Sequence, residues 1–592
     1  MPNVYPATRV LSLALALCLG CATAVRAQDV ESFWSDITTR VTERDFLRTS
    51  GSLRLSTALS AFSSPDGARR RSAPFTWGAA AGVNFDLLGI QAPFSLAVSS
   101  RDTRYNLPSY AFAGLSPSYK WVTLHGGDRA MTLGKYTMSG LAFTGAGAEL
   151  TPGRWTVAGF AGRLRTERIL DVGADQSGIA LDRRRMARAL KVGYAAGGHH
   201  LAATVFTSAD EVRDVLPRDS LAAAPAYRPE ANAILSVEAG ARLTPLLTVE
   251  GTLARSVLTR DRTAPLTAGE PGGAWLSNFG LAELNSTSAA ATAVDAVLRF
   301  APAFGTLSVG YERVGPEYRS HGLLFTQADL ENVTAGLTAP LFAERLTLAA
   351  NVGIQRNGLD GAGLTDRRRF IGDVQLDVRF TERASATASV SNFRTTSRYR
   401  ALVLATPGVD SIVLAQTQFS LELGGQLLLD DAGESTVSAR GSLQRANLLT
   451  DGTELADEAT AFTLISLAYA YQPERAQGAA SAGISVNRNA TATQRTQSIG
   501  PTLSYRRGLF GTKGALTLAG SFLRNDVQVF ATTQAPRTDV VSTSLQLNLG
   551  ASYKLPARQS LRLALNYLQT GAASGRAPFS DLRADLNYGI SF

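Results

Sequence analysis

Along most of the chain, apolar and polar residues alternate with a period of two. The last thirteen residues, 580–592, are the clearest case. Leu582, Ala584, Leu586, Tyr588, Ile590 and Phe592 are apolar or small, and Asp581, Arg583, Asp585, Asn587, Gly589 and Ser591 are polar or glycine. Successive strand side chains point to opposite faces, so this period makes a strand with one apolar and one wetted face. Segments 370–380, 413–427 and 541–554 repeat it. In the first, Phe370, Val374, Leu376 and Val378 oppose Asp373, Gln375, Asp377 and Arg379. Strands of a soluble sandwich are usually about 5–6 residues long. These run longer, as tilted membrane-crossing strands do.

Between the alternating runs lie short Gly/Pro/charged turns. They fall at 88–90, 126–128, 151–153, 197–198, 244–245, 301–303, 339–341, 381–382, 430–433, 472–474, 508–511 and 555–557. Longer polar segments separate them, at 62–73, 102–116, 166–185, 208–230, 260–286, 399–411 and 527–538. Short turns on one side and long loops on the other predict an all-β fold: a single large antiparallel transmembrane β-barrel. Twelve turns joining thirteen hairpins imply about 26 strands (24–26), with both ends on the periplasmic side. No run of eighteen apolar residues occurs, which excludes a helical membrane protein.

The first residues read as an export signal: Arg9, an apolar run over 10–20, and the small-residue site Ala24-Val25-Arg26-Ala27. The expected domains are therefore a signal peptide at 1–27, a periplasmic amphipathic helix within 28–48, and a barrel over 49–592. A lipoprotein anchored at Cys21 is the rival reading, with a poor lipobox upstream. Cleavage removes two arginines, both cysteines and no acid, leaving 56 basic and 49 acidic side chains, net +7. Without cysteine there is neither a disulfide framework nor a thiolate metal site. The basic charge is scattered along strands with no helical basic motif, which argues against nucleic acid.

In the N-terminal helix, Val30, Phe33, Trp34, Ile37 and Val41 fall on one face. Phe33, Trp34 and Ile37 make it a candidate plug for the barrel; a helix covering the lower rim is the alternative. An arginine on the lipid face at mid-membrane costs about 2–4 kcal/mol, so Asp373, Asp377 and Arg379 are expected to line the lumen. Trp121, Tyr136, Trp155, Tyr505, Tyr553 and Tyr588 lie near strand ends, where interfacial aromatic girdles form.

Two stretches resemble known proteins. The ending of the chain on Phe592 resembles the C-terminal targeting strand of bacterial outer-membrane barrels, which implies the barrel-assembly machinery as a partner. Residues 93–164 carry Pro93-Phe94-Ser95, Leu115-Ser116-Pro117, Tyr119-Lys120-Trp121, Tyr136-Thr137, Gly145-Ala146-Gly147 and Pro152-Gly153. They resemble a family of large, uncharacterised outer-membrane proteins of Bacteroidota and related phyla. The resemblance implies a barrel in the outer membrane, with no substrate and no site residues. The Pro/Tyr/Phe-rich segment 102–120 reads as an extracellular loop that either folds into the lumen or packs on the rim.

Candidate chemistry is sparse. His199 and His200 sit at a predicted turn and point apart; His125 lies at another turn; His321 has no partner that sequence can place beside it. Gly145-Ala146-Gly147 fits close packing or bending within a strand. No phosphate loop, cofactor motif or catalytic set is evident, so no cofactor and no enzymatic role is expected. Three arginine triplets, Arg69-Arg70-Arg71, Arg183-Arg184-Arg185 and Arg367-Arg368-Arg369, fall in or beside extracellular loops. They are candidates for lipopolysaccharide phosphates or anionic solutes, weighed against plain solvated charge.

A barrel this wide encloses an aqueous hole that must be blocked. The leading reading is a channel or translocon for large solutes, polymers or polypeptides, closed by its loops, by the N-terminal helix, or by a periplasmic or surface protein partner. The alternative is a structural platform anchoring a surface or secretion complex in the outer membrane. A hydrolase active at the rim comes third.

Overall fold

The computed structural model describes residues 47–592, other than 66–72, 88–89, 101–111, 167, 173–177, 212–227, 267–279, 283, 362–364, 401–410, 456–457, 474–477, 512, 531–536 and 573–576. The expected signal peptide, the helix with Phe33, Trp34 and Ile37, and Arg69, Arg70 and Arg71 lie outside the described residues.

The alternating segments hydrogen-bond in sequence order into one antiparallel sheet. The first strand, Leu47–Ser63, pairs with the second, Phe75–Leu87, and with the last, Phe579–Ser591, so the sheet closes on itself. The result is a closed 26-strand barrel. Its fourth strand is interrupted, as Phe112–Leu115 and Ser118–Tyr119. Closure leaves no unpaired sheet edge, which a membrane interior demands.

Register fixes the two faces. Leu55, Tyr588 and Leu561 stand in one row across the closing strands, and Arg54, Gly589 and Ser560 stand in the next. The first face carries exposed large apolar residues around the barrel, among them Leu59, Leu201, Ile465 and Leu503 at 56–62 % exposure. An apolar exterior on a closed barrel is the lipid face of an outer-membrane-type barrel. Trp155 meets Tyr194 edge-on at 4.9 Å, and Phe510 meets Tyr553 at 5.6 Å, both beside short turns. These aromatics sit where a girdle belongs.

The connections fall into two sets. One end carries short turns and both ends of the barrel chain; the other carries the longer connections. Two expected turns are displaced. Gly126-Gly127-Asp128 is not a turn: it lies inside strand Val122–Ala130, with Gly127 at φ 85° as a local irregularity, and His125 is therefore in a strand. The chain turns earlier, at Lys120, whose φ is 50°. Likewise Pro340 ends strand Leu330–Leu341, and the turn follows, with Phe342, Ala343 and Glu344 all at positive φ.

Candidate functional site: two segments folded onto the inner wall

Two connections at the loop end do not project outward. Residues 131–141 and 315–329 fold onto the inner wall and pair with each other through a short parallel bridge, Gly322 with Met138 and Leu323 with Ser139. A Cβ on Gly322 would collide with the Thr137 carbonyl, so glycine is what permits the approach.

The wall beneath them departs from simple alternation. Phe143, Phe160, Phe206, Ile234, Ala254, Ala293 and Val314 are apolar and point inward, and they bury Leu133, Tyr136, Met138 and Tyr318 in one cluster. On the same strands Val157, Leu201, Val205 and Leu235 point outward. Apolar residues on both faces mean that the inner face here is covered. Gly147 makes room in this wall, since a Cβ there would press on Met131 Sδ at 3.0 Å. Gly145 and Gly162 face each other across two strands, where a Cβ on either meets backbone.

Polar contacts fix both segments. Lys191 Nζ donates to the Leu133 carbonyl and to Glu238, each at 2.8 Å. Lys135 pairs with Glu312 at 2.8 Å and with Asp295 at 3.4 Å, and the Tyr136 hydroxyl donates to Glu312 at 2.7 Å. Tyr318 donates to the Tyr136 carbonyl at 2.8 Å, and Ser320 Oγ to the Thr137 carbonyl at 2.5 Å. Burial pushes the Tyr136 and Tyr318 phenols up, so both stay protonated donors.

His321 is the centre of the second attachment. Its Nδ1 meets Ser208 Oγ at 2.9 Å, and its backbone N–H donates to Asn232 Oδ1 at 3.2 Å. Its Nε2 lies 3.2 Å from Glu230 Oε2. The Arg319 carbonyl beside it accepts from Ser256 at 2.6 Å and from Asn232 at 3.1 Å. Burial lowers the imidazole to about 4, against the opposing pull of Glu230, so His321 is neutral at pH 7. Burial alone would raise the Glu230 carboxyl, but His321, Arg319 and Arg185 outweigh it and hold it at about 2. Ser208, His321 and Glu230 have the composition of a nucleophilic triad. Ser208 is buried on the wall and His321 on the segment, so the contact between them ties the segment to the wall.

The expected site residues divide. Arg185 is buried, clamped by Asp210 at 2.6 and 2.9 Å and by Glu230 at 2.9 Å, so its charge is paired within the wall. Arg184 lies 3.4 Å from Glu211 at the loop end, next to Arg183. Arg367, Arg368 and Arg369 occupy the loop-end part of strand Thr365–Arg379. Arg368 shares the face of Phe370, while Arg367 and Arg369 share the opposite face, where Arg369 stacks 5.1 Å over Phe393. Asp373, Asp377 and Arg379 share that same face, and Asp373 accepts from Asn351 at 3.0 Å. Tyr136 is buried in the in-folded segment and belongs to no girdle. His199 and His200 follow the turn at Gly197-Gly198, and His125 bonds Ser116 at 2.8 Å. The segments 131–141 and 315–329 escape sequence reading. The one available signal was the apolar residues on both faces of the strands beneath them.

Comparison with solved structures returns large barrels. The chain is similar to the translocation pore of the P pilus usher PapC (TM-score 0.36, 8 % identity, 92 % of this chain and 100 % of that one). It is similar also to BauA, the ferric preacinetobactin receptor of Acinetobacter baumannii (0.37, 11 %, 92 % and 81 %). OccAB2 of the same organism is a third (0.28, 10 %, 62 % and 93 %). No family model matches the chain, and no curated protein does.

Proposed function

We propose that the chain is an outer-membrane channel whose passage runs along one side of the lumen, beside a fixed constriction built from residues 131–141 and 315–329. One observation carries the reading: the inner face is divided. Under the two segments it is apolar and covered. From Leu346 round to Ser591 it carries polar residues, among them Asn351, Asp373, Gln375, Glu422, Arg440, Asn548 and Asn566, on six strands of that arc. A polar inner wall that no described segment covers is what an aqueous path needs. On this reading Asp373, Asp377 and Arg379 line the path, the turn end faces the periplasm, and the loop end faces outward. Arg367 and Arg369 then stand at the outer mouth, and Arg368 is the member of that triplet placed for lipopolysaccharide. The protein works by geometry and charge, without a chemical step.

Planar-bilayer recording of the purified chain tests this. We expect steady openings in the intact protein, and larger ones when the attachment of 315–329 is broken. Silence in both, with the barrel assembled, would instead favour a platform with a permanently filled lumen. Deleting the N-terminal segment 29–48 in parallel tests whether Phe33, Trp34 and Ile37 plug the path.

A further inference from the structure

Several opposite charges on the inner wall are paired. Lys191 meets Glu238, Arg299 meets Glu250, Arg440 meets Glu422 and Arg583 meets Asp585. A region at the turn end instead gathers charges of one sign. A cleft there is lined by Arg506, Lys513, Lys554 and Arg562, with Glu434 as its only carboxylate among the described residues. None of these four cations forms an ion pair with a described carboxylate, although all four are exposed.

Alternation gives their direction. Tyr505, Tyr553 and Leu561 lie in the outer, lipid-facing rows, so Arg506, Lys554 and Arg562 point to the lumen. Lys513 stands in the turn before strand Gly514–Val529. Arg506, Lys554 and Arg562 lie within three residues of the turn end of their strands, and Lys513 immediately precedes the strand between those of Arg506 and Lys554. Strands lie about 4.8 Å apart, so the cations span roughly 15 Å along the rim. Arg54 stands in the same register row, through Gly589 and Ser560, three strands on from Lys554.

We propose that this rim is a binding site for multivalent oxyanions entering the lumen from the turn end. A single small anion touches at most two neighbouring strands, whereas a chain of phosphate or carboxylate groups matches the whole row. The two guanidinium forks supply bidentate contacts to such groups, and the lysines supply point charges. Four like charges left together also repel one another, a cost that an anion relieves. Anionic lipid is ruled out as the ligand by the inward direction of the side chains. Binding here is independent of whether the lumen conducts.

The test uses the full chain in nanodiscs of zwitterionic lipid, titrated calorimetrically with tripolyphosphate and with orthophosphate at fixed ionic strength. Saturable tripolyphosphate binding is expected, at least tenfold tighter than orthophosphate. It should weaken at least tenfold in the R506Q/K554Q/R562Q variant and stay unchanged in R507Q, whose side chain faces lipid. Absence of saturable binding, or equal affinity in the triple variant, overturns the site. Heat-dependent electrophoretic mobility reports whether each barrel has assembled. If the triple variant has not, Lys513→Gln in the turn carries the test: weakening of twofold or more supports the site, and unchanged affinity overturns it. Conductance recorded on the same samples keeps the two ideas apart, since binding without conductance removes the channel and leaves the site.

Discussion

Tyr318 shows how much one side chain does. Its hydroxyl is the donor that satisfies the Tyr136 carbonyl, and both groups are buried between the two in-folded segments. Tyr318→Phe leaves that carbonyl unpaired, at a cost of about 1–3 kcal/mol. The expected result is a higher frequency of enlarged openings in single-channel records, with barrel assembly unchanged. His321 supplies a second prediction. Its pKa falls on folding, from an ordinary 6.5 to about 4, so the folded chain binds fewer protons than the released segment between those values. Attachment is therefore complete above pH 6.5 and weakens as pH falls towards 4. Glu230, lowered from 4.5 to about 2, adds loss in the same direction at still lower pH. The groups facing His321 are Ser208, Asn232, Glu230, Arg185, Arg319 and Asp210; the cations oppose its protonation and the acids favour it. Openings should grow on acidification from pH 7 to 4.5 and be pH-independent over that range in His321→Gln. None of this was legible beforehand, because Ser208 and His321 are separated by 113 positions and only the in-folding of 315–329 brings them together.

Elements were far more legible. The period of two located the strands because the inside–outside contrast of a barrel repeats at every residue. It failed at Gly127, where a glycine inside a strand mimics a turn, and at Pro340, which ends a strand rather than turning the chain. Both failures share a cause: Gly and Pro mark backbone irregularity without saying whether the strand stops. The pattern also held a message in its exceptions, since inward Phe160, Phe206 and Ile234 have no place on a wet wall. They mark the seat of 131–141 and 315–329, whose own sequences look like ordinary loops. That seat depends on the Gly322 approach. Gly322→Ala must push the parallel bridge apart, because the Thr137 carbonyl and Met138 Cα occupy the space of the new methyl. Overpacking of this kind costs about 1–3 kcal/mol. Limited proteolysis should cut 315–329 faster in this variant, whereas Gly441→Ala, where a methyl meets nothing, should leave that rate unchanged.

At the scale of the whole molecule, 26 strands become a barrel only when the last meets the first. Gly51 donates to the Phe592 carbonyl at 2.8 Å, and Phe592 donates back to Gly51 at 3.1 Å, as the final pair of that seam. Gly51 also has backbone of the second strand against its Cα, where a Cβ would collide. The Phe592 ring itself is 44 % exposed, on the outer face. Two roles for it therefore separate cleanly. If the ring serves the finished barrel, its removal forfeits only a partial burial, about 1 kcal/mol, which a sheet this large absorbs. If it serves assembly, the loss comes earlier, when the free C-terminal strand must be recognised before the seam exists. We expect Phe592→Ala to lower the amount of assembled barrel in membranes severalfold, while protein refolded from denaturant into detergent unfolds within a few degrees of the parent. Phe592→Tyr should restore assembly, because it returns an aromatic ring to the end of the outer row begun by Leu582. Equal membrane yields for the parent and Phe592→Ala would show instead that the seam's hydrogen bonds are enough, and that the aromatic ending serves only the finished barrel.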